Sequence, residues 1–168
     1  MTMATSSAYE TLEVSILDTN PDIRIRRIVA FGCGALYSRF YFRHVVHTAL
    51  ITVVRKILVD HYTTVSPNDT VVHCCAQDPA YNMDNIRLLQ EQKILVLDDP
   101  DGLLAVNEET LVIAINPGLP VRQIICDMSS RSKGPAMMIW ARGDHMLDRP
   151  YNIHINNDTY PINKMRVP

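Results

Sequence analysis

The sequence predicts an α/β protein with a mainly parallel sheet of five strands. Short apolar runs recur along the chain, and each one ends in glycine, proline, asparagine or aspartate. Such runs, bounded by turn residues, are typical of parallel strands that are buried on both faces. Segments with helical spacing of apolar residues separate the runs. Strands that alternate with helices in this way form one parallel sheet with right-handed crossovers.

The first strand and the first long helix define the repeating unit. The apolar run Ile28 to Phe31 stops at Gly32-Cys33-Gly34 and predicts a strand over residues 27–32. Residues 38–60 are predicted to form the longest helix, with Ser38 as its cap, because one face repeats at spacings of three and four. The residues of that face are Phe40, His44, His47, Ile51, Val54 and Leu58.

Further strands and helices follow in alternation. Strands are predicted at residues 70–76, 94–97, 111–115 and 136–140, and helices at residues 83–92 and 121–130. Gly102 to Val106 forms at most a short helical turn. Because a glycine-rich turn follows the first strand, five such strands indicate a Rossmann-like sheet in the order 3-2-1-4-5.

The two ends of the chain lie outside this pattern. Residues 1–24 are polar and aperiodic, and we interpret them as an N-terminal arm with a short helix near Tyr9 to Leu17. The domain itself is expected over residues 25–145. Residues 146–168 are expected to be an extension packed on it, with an edge hairpin between Asn152 and Ile162.

Length and composition limit the class of protein. The chain has 168 residues, which suits one domain, and its hydrophobic content of 47% provides for a buried core. The net charge of −2 lacks the basic excess of nucleic-acid-binding proteins, so we expect no nucleic-acid partner. No apolar run reaches the roughly 18 residues of a membrane span, and Met1 to Tyr9 does not resemble a signal peptide. We expect an intracellular, cytoplasmic protein, with the nucleus as the alternative.

A ligand site is expected at one edge of the sheet. In an open parallel sheet, ligands bind beyond the carboxyl ends of the strands, where the strand order reverses. That crevice is predicted between the loop of Gly32 to Ser38 and the loop that begins at Asn116, and Asp78 closes it from the second strand. We therefore expect Gly34, Ser38, Asp78 and Asn116 to converge there and to bind a small molecule.

The glycine turn and Asp78 each leave two interpretations open. Gly32 and Gly34 allow a close backbone approach to a ligand, and the helix start behind them offers N–H groups to an anion. Tyr37, however, stands in place of the third glycine of the dinucleotide fingerprint, and Asp78 lies well beyond the ~20 residues which that fingerprint expects. The turn is a binding loop or a plain strand-to-helix connection, and Asp78 is a ribose-binding acid or part of an Asp-Pro turn.

The histidines, arginines and cysteines of the chain are less specific indicators of a functional site. His44 and His47 share a helical face, but without a third ligand nearby we favour a hydrogen-bonded, half-buried pair and expect no metal. Arg39 and Arg43 could face the crevice or be solvated surface. The four cysteines include no CxxC pair, so we expect buried thiols. No nucleophile elbow, Ser-His-Asp order or phosphate-binding loop occurs.

Six residues stand where the short motifs of a known family stand, namely Gly32, Gly34, Ser38, Arg43, Asp78 and Pro79. In that respect the chain resembles the sensitivity-to-red-light-reduced (SRR-like) domain over roughly residues 25–142. Fungal proteins with this domain have sequences similar to the stretch from Cys75 through Pro120, so the chain resembles a divergent fungal-type member. Where the family often has His-Cys, this chain has Asn116-Pro117.

The resemblance implies a Rossmann-like fold, and it favours Arg43 over Arg39 as a site residue. It also implies a poorly defined biochemical activity. Plant members are associated with red-light signalling and the circadian clock, and animal and yeast relatives with regulation of haem biosynthesis and with the cytoskeleton.

Three functions stay open at this point, so whether the protein is an enzyme is undecided. A regulatory or small-ligand-binding module ranks first, and no cofactor is required by the sequence. A transferase using a nucleotide-type cofactor, such as S-adenosylmethionine, ranks second. A cofactor-free acid/base enzyme of a fungal biosynthetic pathway ranks third, with Tyr37, His44, Asp78 or His145 as acid and base. The sheet edges and the tail offer surfaces for a homodimer.

Overall fold

The computed structural model describes residues 4–18, 23–36, 41–115, 117, 119–130, 133–141 and 153–155. Its strands are β1 (Arg27–Phe31), β2 (His73–Gln77), β3 (Ile94–Val96), β4 (Thr110–Ala114), β5 (Met137–Ala141) and β6 (Ile153–Ile155). Its helices are α1 (Ala4–Leu17), α2 (Tyr41–Val65), α3 (Met83–Glu91), α4 (Asp101–Leu104) and α5 (Val121–Ser129).

One sheet joins all six of these strands, in the order β3-β2-β1-β4-β5-β6. The first five strands are parallel, so the predicted order 3-2-1-4-5 is confirmed. β6 lies within the segment predicted as an edge hairpin, and it pairs antiparallel with β5. The returning part of that hairpin, residues 159–162, lies outside the described residues.

The apolar strands are explained by burial on both faces of the sheet. Along β1, Ile28 and Ala30 belong to the core on one face, whereas Val29 and Phe31 belong to the core on the other. This alternation follows from the two-residue period of a strand. α2 packs Ile51, Val54 and Leu58 into the first of these cores, as their helical spacing predicts, and α5 packs Val121 and Ile125 into the second.

Several element boundaries differ from those predicted, for local reasons. α2 continues to Val65 instead of residue 60 because the first breaker after it is Pro67, which disfavours helix in the residue before it. β2 begins at His73 instead of residue 70. Before β2, Asp69 binds the Arg26 guanidinium through both carboxylate oxygens, at 2.8 and 3.0 Å.

The helix predicted near Tyr9 is present and begins earlier, at Ala4. Its Ile16 is 3% exposed and packs in the core beneath α2. Within the described residues, none of the helices is long and apolar enough to cross a membrane.

Candidate ligand crevice at the carboxyl ends of the strands

A cavity of about 340 Å³ lies beyond the carboxyl ends of β1, β2 and β4, where the strand order reverses. Its polar lining consists of Arg43, His44, His47, Gln77 and Asp78, and both Gly32 and Gly34 border it. The apolar lining consists of Phe31, Pro79, Leu103, Pro117, Leu119 and Val121.

The crevice thus brings together five of the nine residues that the sequence predicts as ligand-binding or catalytic candidates. They are Gly32, Gly34, Arg43, His44 and Asp78. That they bind a ligand or act in catalysis stays a prediction. Four further candidates lie outside the described residues, namely Tyr37, Ser38, Asn116 and His145.

Both glycines of the turn adopt a backbone conformation that favours glycine. Gly32 has a φ of 70° and Gly34 a φ of 77°, in the left-handed region that disfavours residues with a Cβ. Gly34 is also in contact with the His44 ring. A Cβ built on Gly34 would lie 2.6 Å from His44 Cε1 and closer still to two other ring atoms. The close approach of the loop to α2 therefore requires glycine at position 34.

Three side chains hold the loop between β1 and α2, each through a different backbone group. The Gly34 N–H donates to Asp78 Oδ2 at 2.7 Å, and the Leu36 N–H donates to Asn85 Oδ1 at 2.6 Å. Between these two, the Ala35 carbonyl lies 2.6 Å from His44 Nδ1. Gly34, Ala35 and Leu36 are therefore fixed by the turn after β2, by α2 and by α3 respectively, and this part of the loop is preformed.

Asp78 uses both of its carboxylate oxygens within the protein. Besides the bond to Gly34, its Oδ1 accepts a hydrogen bond from the Ala80 N–H at 2.8 Å, and its carbonyl accepts one from the Tyr81 N–H at 3.2 Å. This is the geometry of an Asp-initiated turn. Asp78 thus forms the turn after β2 and, with the same side chain, holds the glycine loop.

The histidines of α2 differ in their surroundings. A carbonyl oxygen can only accept, so the bond to Ala35 places the proton of a neutral His44 ring on Nδ1 and makes Nε2 the acceptor. His47 is 4% exposed. Burial lowers the pKa of His47 below its usual value, and the neighbouring His44 and Arg43 lower it further. Among the described residues, no group of three or more His, Cys, Asp or Glu side chains is arranged to hold a metal ion.

The environment of His47 predicts how stability depends on pH. Because the pKa of His47 is lower in the folded state than the 6.5 of an unperturbed histidine, the unfolded chain binds a proton more readily than the fold. Stability should be full above pH 6.5 and should fall as the pH drops below it, by at most about 1.4 kcal/mol per pH unit from this one group. Urea unfolding between pH 5.5 and 7.5 measures the slope.

Two variants separate His47 from the other histidines in this prediction. H47Q should flatten the slope, whereas H73Q, at the exposed start of β2, should leave it unchanged. Equal slopes in the wild type and in H47Q would contradict the prediction.

Two residues that shape the crevice were missed in the sequence. Gln77, the last residue of β2, donates to Asp99 Oδ1 at 2.9 Å and accepts from the Gly102 N–H at 2.8 Å, so it connects the crevice to α4. Its place directly before Asp78 at a strand end was a usable signal. Asn85 is completely buried in α3. It resembles an ordinary polar helix residue, and nothing in the sequence separates it from an exposed one.

The thiol of the glycine turn is enclosed in the protein. Cys33 is 2% exposed. Burial, and to a lesser degree the Asp78 carboxylate, raises the pKa of Cys33 to about 12, although the Tyr81 hydroxyl partly opposes the shift. The thiolate is the nucleophilic form of cysteine. Cys33 therefore acts as a small apolar core residue and not as a nucleophile.

The fold and the site together define a parallel α/β protein with a glycine-loop crevice at the reversal of strand order. A family model described as the SRR1 domain matches residues 9–166, and the chain belongs to that family. This confirms the family resemblance seen in the sequence, and the match extends beyond residues 25–142 at both ends. No curated protein and no solved structure gives a significant match.

Proposed function

We propose that this SRR1-domain protein is a small-ligand-binding module whose ligand occupies the crevice between the loops after β1 and β4. The observation that carries the proposal is the preformed loop. Side chains from the turn after β2, from α2 and from α3 hold Gly34, which lines a cavity of about 340 Å³, and the adjacent Ala35 and Leu36. A wall that is already ordered reduces the entropic cost of binding.

The lining of the crevice supports the same role. Ligand sites combine an apolar surface with a few convergent polar groups and measure about 300–1,000 Å³. Here Phe31 and Val121 are core residues that also reach the cavity, whereas Arg43 and Gln77 supply polar groups. A ligand bound in this site would affect α4 through Gln77, and this coupling is a physical basis for a regulatory function.

A cofactor-free acid/base enzyme is the second candidate, and one observation favours it. The bond from His44 Nδ1 to the Ala35 carbonyl sets the tautomer and the orientation of a ring that lines the crevice. A histidine oriented through one nitrogen is a common arrangement for proton transfer at the other. A bound molecule that is recovered chemically changed would favour this candidate over the binding module.

Amide-resolved NMR titrations test the binding role. The probes are ADP, S-adenosylmethionine, haemin and a set of small organic acids, added singly to the whole chain. At least one probe should shift the amide signals of Gly32, Gly34 and Asp78. R43A and H44F should each lower the affinity for that probe at least tenfold. R87A, on the exposed side of α3, is the matched control and should bind normally. If no probe shifts the crevice amides, or if R43A and H44F bind normally, the proposal fails.

A further inference from the structure

We propose that the crevice selects a monocarboxylate with an apolar body and discriminates against nucleotides and phosphate esters. This inference rests on the proposed function, since it names the ligand class of the same site. It is drawn from where the loop directs its N–H groups, from the charges along the crevice and from the apolar part of its lining.

Three backbone N–H groups of the glycine loop donate to acceptors within the protein. Phosphate-binding loops aim consecutive backbone N–H groups at the anion. Here the Gly34 N–H donates to Asp78 and the Leu36 N–H to Asn85. The Gly32 N–H points to the Gln77 carbonyl at 3.4 Å and so extends the contact between β1 and β2. The loop therefore has the glycines of a phosphate site, but these three donors serve the protein itself.

The charges along the crevice suit one negative charge better than two. Arg43 brings a guanidinium, which matches a carboxylate through two parallel hydrogen bonds. Asp78 places a carboxylate in the same lining, and the lowered pKa of His47 keeps that ring neutral near pH 7. A monocarboxylate brings one negative charge to pair with Arg43, whereas a phosphate dianion brings two into a lining that already holds the Asp78 carboxylate.

The apolar part of the crevice lining would contact the apolar body of the ligand. Phe31 and Val121 are 3% and 4% exposed, so the core fixes their positions, and Leu103 packs against the same core cluster. Leu119 is 55% exposed and borders the crevice. Contact with this wall removes apolar surface of the ligand from water, at about 25 cal/mol per Å². A compact aromatic or branched aliphatic carboxylic acid fits both the wall and the modest volume.

A matched pair of probes tests the inference. Benzoate and phenyl phosphate share a phenyl ring and differ in the acidic group, and ADP represents nucleotides. In NMR titrations at pH 7.5, benzoate should shift the Gly34 and Asp78 amides, and the other two should bind at least tenfold more weakly. R43M should lower the affinity for benzoate at least tenfold, and R43K should retain part of that affinity. R87M should bind benzoate as tightly as the wild type.

The outcomes separate the inference from the proposed function. If phenyl phosphate or ADP binds the crevice as tightly as benzoate does, the carboxylate preference is overturned while the ligand-binding role stands. If R43M binds benzoate normally, the role of Arg43 is overturned. If none of the probes in either experiment shifts the crevice amides, both proposals fall.

Discussion

Replacing Gly34 with alanine is expected to destabilise the fold by about 3 kcal/mol and to abolish binding in the crevice. Two costs combine. The φ of 77° places a Cβ in the left-handed region, which costs about 1–2 kcal/mol, and overpacking against a fixed neighbour adds about 1–3 kcal/mol. The neighbour is the His44 ring, which cannot move away without losing its bond to the Ala35 carbonyl. Urea unfolding of G34A measures the loss.

Gly134 provides the matched control. A Cβ there would meet Ser129 at ordinary contact distances, 3.4 Å from Oγ and 3.5 Å from Cβ, without a positive φ. G134A should therefore change the free energy of unfolding by no more than about 0.5 kcal/mol. The double variant G34A/H44A removes the clash but not the strained φ. Its loss of unfolding free energy should therefore be smaller than the sum of the losses in G34A and H44A. A G34A protein as stable as G134A would contradict the described contact.

Replacing Asn85 with leucine is expected to cost about 3 kcal/mol, although the side chains are of similar size. The variant leaves the part-buried Leu36 N–H without its acceptor, a loss of about 1–3 kcal/mol where water does not replace that acceptor. It also removes the hydrogen bond from Asn85 Nδ2 to Asn82 Oδ1, the atom that caps the start of α3. Asn85 itself is completely buried, and an unpaired polar group is costly in a site of low dielectric constant.

Native-state hydrogen exchange shows whether the loss occurs at the loop. The Leu36 amide should exchange much faster in N85L than in the wild type. N82A is the control, because it removes the helix cap, worth about 1 kcal/mol, while Asn85 Oδ1 still accepts from Leu36. Unchanged Leu36 exchange in N85L would show that the loop does not depend on Asn85.

The architecture could be predicted from the sequence because it depends on local signals. Each parallel strand is buried on both faces, so Ile28 to Phe31 and Leu111 to Ile115 appear as uninterrupted apolar runs. Turn residues mark where the runs stop, and the handedness of crossovers leaves few ways to order them. The same rules predicted that Gly34 and Asp78 meet at one edge of the sheet, 2.7 Å apart at their nearest polar atoms.

Only the tertiary structure decided which group each polar side chain contacts. The sequence presents Asp78 as a turn or a ribose-binding acid, and the fold directs its carboxylate to the Gly34 and Ala80 N–H groups. Asn85 lies far along the chain from Leu36, and the packing of α3 against the loop makes the two partners. Apolar periodicity records which face of an element is buried. A hydrogen bond between distant residues depends on positions set to within about an ångström by the packing of the whole domain, and no local pattern of residues encodes it.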